Sequence, residues 1–199
     1  LLLDLDDTIL DDTGARDRCW TVACEEAAER QRHIDAVALR AEIVSVREWF
    51  WADADRYTEW RQKMRQAWHR IASDSLARLG IDDETIGVEI GDRHYELRDS
   101  FRVPLPGATE ALDRLRKKGV ILGLLTNGNG PGQRAKIERF DLAVHFAYIG
   151  IEGEVGHGKP HRRAYETALR ALDSEPTTTW MVGDNLQWDV EGAQAAGIR

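Results

Sequence analysis

Cysteine is scarce in this chain: Cys19 and Cys24 are the only thiols in 199 residues. Two thiols cannot make a disulfide scaffold, and with no secretory pattern visible the chain reads as one kept reduced in the cytoplasm. Positive charge is short as well. Asp and Glu number 35 against 27 Lys and Arg, for a net charge of -8, which argues against a nucleic acid polymer as partner. No apolar run approaches the roughly 20 residues needed to span a bilayer, so no membrane partner is expected. Internal repeats and low-complexity tracts are also missing. The chain opens on Leu1 inside an apparent strand, without Met, and stops at Arg199 just past a helix-stop signal at Gly197; it is expected to be a piece of a slightly longer protein. What remains is a globular composition, 42% apolar and 31% charged, long enough for one sizeable core or one core plus a smaller module.

The stretch LLLDLDDTILDD at residues 1–12 organises this composition. A short apolar run that meets a polar cluster reads as a buried strand ending at a site. Side chains two apart on a strand share a side, so Asp4 and Asp6 can reach one pocket at its tip. Two carboxylates so close repel, and a divalent metal is the simplest compensation.

Residues 14–100 lack a clear strand pattern. Helical spacing recurs at Trp20, Ala23, Ala27 and Ala28, then at Leu39, Ile43 and Val46. A longer stripe of Tyr57, Trp60, Met64, Trp68, Ile71 and Leu79 predicts one helix over 53–79, closed by Gly80. Asp82 is expected to cap a further helix running toward Phe101, with Gly87 and Gly91 weakening it. The texture changes at VPLPG, residues 103–107. Beyond it the pattern alternates: helix 108–118, strand 120–125, helix 131–140, strand 143–149, helix 161–172, strand 178–182 and helix 187–196. The expected fold is therefore α/β, a Rossmann-like parallel sheet with helices on both faces, plus an inserted all-helical segment. The expected division is 1–13 with 101–199 as core and 14–100 as insertion.

In an open parallel sheet, ligands gather beyond the carboxyl ends of the strands. The first strand delivers Asp4, Asp6, Asp7 and Thr8; the second, Thr126, Asn127 and Gly128; the last, Gly183, Asp184, Asn185 and then Asp189. A glycine-rich loop, GEVGHGKP, brings Lys159 to the head of a helix. Four segments thus aim acids, a hydroxyl and one lysine at one sheet edge.

The set DLDDT, LLTNG, GHGKP and GDNLQWD, in this order from Asp4 to Asp189, resembles the haloacid dehalogenase-like hydrolase superfamily. The resemblance spans the core from end to end, and residues 14–100 look like the helical cap of that superfamily. The TNG form and the GDxxxxD ending look most like its phosphatases, including nucleotidase-like and acylneuraminate-phosphatase-like branches. The resemblance implies that Asp4 is a nucleophile forming an aspartyl-phosphate and that Asp6 protonates the leaving alkoxide and then activates water. It implies Mg²⁺ held by Asp4, the backbone carbonyl of Asp6 and Asp184, with Asp189 orienting Lys159 or a metal-bound water. The Thr126 hydroxyl and the Asn127 N–H would bind phosphoryl oxygens, and Lys159 would pair with Asp4 and the phosphoryl group. The expected partner is a small phosphorylated metabolite. Asp7 departs from the commoner glycine of the first motif, but Asp tolerates a left-handed backbone well. Alternatives are a phosphomutase or a dehalogenase on the same fold, or a non-catalytic ligand-binding relative. Dehalogenases of the superfamily lack the second acid because a halide leaves without a proton, so Asp6 favours phosphate-ester chemistry.

Each of these residues also has a plainer reading. Asp4 and Asp6 alone describe a solvated acidic turn as well as a site; Thr126 alone is a strand ending in turn chemistry. Asp184 can be an N-cap, and Asp189 a solvated helix position. Lys159 could be a surface lysine, but it is one of five lysines against 22 arginines. Five of seven tryptophans lie in the insertion: Trp60 and Trp68 read as core, whereas Trp49 and Trp51 flank Phe50 and cannot all face one core, so one of them is a candidate for stacking on substrate. Arg47, Arg56, Arg61 and Arg65 read as a solvated face, with anion binding as the alternative. Cys19 and Cys24 would point about 140° apart on a helix and do not suggest a metal site. His157 and His161 read as loop histidines beside Lys159.

Overall fold

The structure, a computed structural model, describes residues 1–199 with the side chain of Ala54 left out. It divides into two compact units, Leu1–Asp11 with Val103–Arg199, and Asp12–Arg102.

The first unit holds a parallel sheet of β1 (Leu2–Leu3), β2 (Gly123–Thr126), β3 (Tyr148–Ile151) and β4 (Met181–Val182), in the order β3-β2-β1-β4. Leu2 pairs with Gly123 on one side and Met181 on the other. Because successive strand residues face opposite sides, the two leucines of β1 enter different cores. Leu2 joins Leu125, Tyr165, Ala168, Leu169 and Ala193. Leu3 joins Leu5, Ile9, Leu112, Leu124, Ile137 and Ile151. A strand buried on both faces has no room for polar residues, which is why β1 and β2 read as unbroken apolar runs. In β1 the polar side chains begin where the hydrogen-bonded ladder stops, and in β2 Thr126 is the ladder's last residue.

The strands lie closer to these polar tips than the apolar pattern predicts. Strand 120–125 becomes Gly123–Thr126, carrying Thr126 within the ladder. Residues 143–149 split into a 3₁₀ turn, Leu142–His145, and the start of β3; residues 178–182 split into a 3₁₀ turn, Pro176–Thr178, and β4. Apolar pattern registers burial, whereas strand limits are set by the hydrogen-bonding partner, and a buried turn satisfies the first without the second. Likewise residues 187–196 form a π-helical turn, Leu186–Glu191, before a short α-helix at Gly192–Ala195.

The second unit is built on four long helices, α1 (Thr13–Arg30), α2 (Ala36–Ala52), α4 (Met64–Arg78) and α5 (Glu84–Phe101), with the short α3 (Ala54–Trp60) between α2 and α4. The expected single helix over 53–79 is thus two, broken around Lys63, although no residue type there forbids a helix. The break sets Trp60 against Phe50 at 5.6 Å and Trp68 against Trp20 at 6.0 Å. Trp20 also stacks on His94 at 3.8 Å. Burial, reinforced by Arg98, holds the His94 pKa well below the usual histidine range, so the ring packs as a neutral aromatic. Cys19 and Cys24 are both buried and free; their wide angular separation is accommodated because α1 is covered over a broad arc. Asp35 caps α2, accepting from the Val37 and Ala38 amides at 2.8 and 3.0 Å. Asp83, not Asp82, caps α5, accepting from Thr85 and Ile86. At the ends of this unit, Asp12 accepts from Arg98 and, at 3.0 Å, from Arg102, tying the first residue of the segment to its last helix.

The glycines that weaken the α5 pattern turn out to set its closest packing. A Cβ on Gly91 would lie 2.8 Å from the His69 amide nitrogen, and one on Gly87 would lie 2.1 Å from Ser73 Oγ. Replacing Gly by Ala inside a helix gains about 1 kcal/mol of propensity, whereas overpacking costs about 1–3 kcal/mol. The collision at Gly91 is with backbone, which cannot rotate away, so the cost prevails. Gly91→Ala should therefore lower the thermal midpoint, measured by calorimetry, despite its higher helix propensity.

Candidate active site

Every motif outside the helical segment ends at the carboxyl edge of the sheet. Asp4 follows β1, and its amide donates to Val182 O at 2.9 Å, locking the first tip to the last strand. The chain then turns sharply through Asp7, whose φ of 54° is left-handed. The aspartate standing where glycine is commoner is therefore compatible with the turn. The Asp7 amide donates to Leu10 O at 2.7 Å and closes the loop.

Lys159 is the cation of the site. Its ammonium lies 2.8 Å from Asp4 Oδ1 and 2.6 Å from Asp189 Oδ1, and the side chain is 1% exposed. A reciprocal pair places it: the Asn127 amide donates to Lys159 O at 2.7 Å, and Lys159 N donates to Asn127 Oδ1 at 2.7 Å. The Asn127 side chain thus serves the Lys159 loop, leaving its main chain for other contacts. Gly158 is required by this approach, since a Cβ there would lie 2.5 Å from Asn127 Oδ1. Asp189 is buried, and its second oxygen accepts from the Asn185 amide at 3.1 Å. Gly183 makes room for it, because a Cβ would overlap the Asp189 carboxylate at 2.1 Å.

Asp4, Asp184 and Asp189 present one carboxylate oxygen each within 4.8 Å of one another. Hard oxygen donors with one buried cation among three acids fit a divalent metal of the Mg²⁺ or Ca²⁺ kind. The electrostatics point the same way. Burial pushes the Asp4 carboxyl up to about 7, with Lys159 pulling down and Asp189 pushing up. Burial, then the neighbouring Asp7, raises Asp184. An added dication would relieve both. Asp6 is expected in the metal set through its backbone carbonyl; its side chain meets Lys136, whose Nζ lies 2.7 Å from both of its oxygens.

Lys136 and Gln133 are the residues that sequence reading passed over. Both lie on α7 (Gly130–Arg139), which starts directly after the second motif. Gln133 Nε2 donates to Asp6 Oδ2 at 3.0 Å and to Thr126 Oγ1 at 2.6 Å. The available signal was the rarity of lysine, which singles out Lys136 as it does Lys159. Glu152 is a further addition. It accepts from the Gly128 amide at 3.0 Å, joining the loops after β2 and β3.

Other candidates have structural partners. His161 caps α9 (Arg162–Ala171), accepting from the Arg163 amide at 3.2 Å, and His157 lies 3.3 Å from Thr167 Oγ1. In the helical unit Trp51 packs on Phe50, Tyr57 and Trp68, while Trp49 is 49% exposed beneath the Arg56 guanidinium. Arg47 pairs with Asp17 at 2.8 Å, Arg65 with Asp92 at 2.7 Å, and Arg61 lies over Tyr57.

Residues 1–197 match the family model of the haloacid dehalogenase-like hydrolases, and the chain belongs to that family. It is 36% identical to a phosphoserine phosphatase of Thermus thermophilus, over all of this chain and 86% of that protein. It is 26% identical to a glyceraldehyde 3-phosphate phosphatase of Pyrococcus abyssi, over all of this chain and 78% of that one. The crystal structure of the magnesium-bound HAD-hydrolase YfnB of Bacillus subtilis superposes with a TM-score of 0.75 at 21% identity, covering 99% of this chain and 82% of that chain. No helix among the described residues is long and apolar enough to cross a membrane.

Removing the Lys159 ammonium strands two buried carboxylates, and breaking a buried pair typically costs about 3–5 kcal/mol. Lys159→Met should sharply lower the midpoint of chemical denaturation. Asp189→Asn in the same chain should recover part of the loss, because one stranded charge is then gone.

Proposed function

We propose that this hydrolase is a Mg²⁺-dependent phosphatase of small phosphorylated metabolites, cleaving a phosphomonoester through an aspartyl-phosphate on Asp4. The observation that carries the reading is the presence of two differently placed carboxylates at one strand tip. Asp4 is buried against Lys159, whereas Asp6 is turned toward Lys136 and Gln133. Attack on phosphorus and proton delivery are separate tasks, and these are separate environments.

An Asp4 oxygen attacks phosphorus, the ester P–O bond breaks, and its electron pair stays on the leaving oxygen. Asp6 gives that oxygen its proton. Asp6 then takes a proton from water, whose oxygen attacks the same phosphorus. The Asp4–phosphorus bond breaks, releasing inorganic phosphate and the free carboxylate. Thr126 Oγ1, the Asn127 N–H and the Lys159 ammonium bind the phosphoryl oxygens as charge shifts. Asp4, Asp184, the Asp6 carbonyl and, directly or through water, Asp189 would hold Mg²⁺, which supplies charge neutralisation between the anionic ester and the anionic nucleophile. The helical segment acts as the cap that selects the substrate and excludes water. The enzyme is assigned to the reducing cytoplasm, consistent with its two free, buried thiols.

Asp4→Asn should keep the fold and reduce phosphate release from a generic aryl phosphate to background. Near-normal turnover would sink the mechanism, and halide release from a 2-haloacid or isomerisation of a sugar phosphate by the native protein would replace the reaction.

Mg²⁺ binding should be linked to protons at Asp4. With its carboxyl pushed up to about 7, the group is largely protonated at pH 5.5 and ionised at pH 8. The cation must displace a proton only in the first case. The rise in thermal midpoint on adding Mg²⁺ should therefore be larger at pH 8, and Asp184→Asn should diminish it at both.

A further inference from the structure

We propose that Gln133 and Lys136 are positioning residues which hold the Asp6 carboxyl and the Thr126 hydroxyl in fixed register, so that proton delivery and phosphoryl binding are aligned by a single helix face. The inference rests on the phosphatase reading above.

The two residues are three apart on α7 and so project from one face. Lys136 meets both Asp6 oxygens at 2.7 Å, which fixes the carboxyl plane rather than merely neutralising it. Its side chain is 13% exposed and that of Asp6 is 29% exposed, so the pair is better shielded than an ordinary surface bridge. Gln133 is 5% exposed. Its amide nitrogen has two protons, and Asp6 Oδ2 at 3.0 Å and Thr126 Oγ1 at 2.6 Å take one each. In its ionised form, the one that takes a proton from water, the carboxylate only accepts, so the nitrogen, not the oxygen, faces it. Having accepted from Gln133, the Thr126 hydroxyl keeps its own proton to donate. Its present acceptor, Asn127 O, lies at a weak 3.4 Å, and a phosphoryl oxygen would be a stronger one.

The helix is also held by groups other than these two. Ile137 enters the core at 1% exposure, and Asn129 caps the first turn by accepting from the Gly132 amide at 2.7 Å. Both Gln133 and Lys136 instead reach the loops that follow β1 and β2, at Asp6 and Thr126.

The test is a double-mutant cycle with the full chain and Mg²⁺, read as kcat/KM on an alkyl and an aryl phosphate. Misplacement of a catalytic group by about 1 Å can cost on the order of 100-fold. Lys136→Met should lower kcat/KM for the alkyl ester by about 10- to 100-fold. The loss should be several-fold smaller for the aryl ester, whose phenolate leaves with little protonation. Lys136→Arg should recover part of it. In an Asp6→Asn background, assayed at high enzyme concentration, Lys136→Met should cost less than about twofold, because a residue acting through Asp6 has nothing left to position. Equal losses in both backgrounds, or on both esters, would overturn the proposal. If Lys136→Met does not fold, Lys136→Gln takes its place in the same cycle with the same two outcomes. Failure of the phosphatase reading looks different: the native protein then releases no phosphate from either ester.

Discussion

A single buried ammonium holds the carboxyl edge of the sheet together. Lys159 lies between Asp4 after β1 and Asp189 after β4, and its main chain is pinned by Asn127 after β2. Three strand tips far apart in the chain therefore converge on one nitrogen and its backbone. Such a charge is costly to bury unless every contact is made, and the surrounding glycines show how closely the contacts are drawn. Gly158 and Gly183 leave no space for a side chain where the Asn127 amide and the Asp189 carboxylate must lie. One cation among Asp4, Asp184 and Asp189 is not enough to neutralise them. Burial, with Asp189 adding to it, pushes the Asp4 carboxyl up to about 7 despite Lys159, and a divalent ion is the natural complement of these acids.

The second cation of the site divides the labour between the acids. With Lys136 and Gln133 on Asp6, and Lys159 on Asp4, the two face different partners, as the proposed division into acid and nucleophile requires. The groups of the proposed reaction, Asp4, Asp6, Thr126, Lys159 and Asp184, all belong to the α/β unit. The helical unit has its own aromatic core around Trp20, Trp68 and Phe50, and its own close approach at Gly87 and Gly91.

Much of the site was legible in the amino-acid order because its residues are tied to strand tips. Asp4, Thr126 and Asp184 stand where an apolar run stops, so periodicity alone locates them. Asp7 was readable through backbone preference, and its φ of 54° agrees. Gln133 and Lys136 were not readable in this way. They sit on an amphipathic helix where polar residues are ordinary, and only the fold shows that their face meets Asp6. The break at Lys63 and the π-turn at Leu186–Glu191 were equally hidden, since neither is caused by a residue that disfavours helix.

The LLLDLDDTILDD stretch shows where the boundary lies. Sequence by itself determined that a buried strand ends there in too much negative charge, that compensation must come from elsewhere, and that three further strand ends offer it. These follow from local periodicity and from repulsion between like charges, which depend on neighbours in the chain. Only the tertiary structure decided which cation meets which acid: Lys159 on Asp4 and Asp189, Lys136 on Asp6. That choice depends on contacts between residues 30 to 155 positions apart, set by sheet order and helix docking, for which local pattern carries no signal.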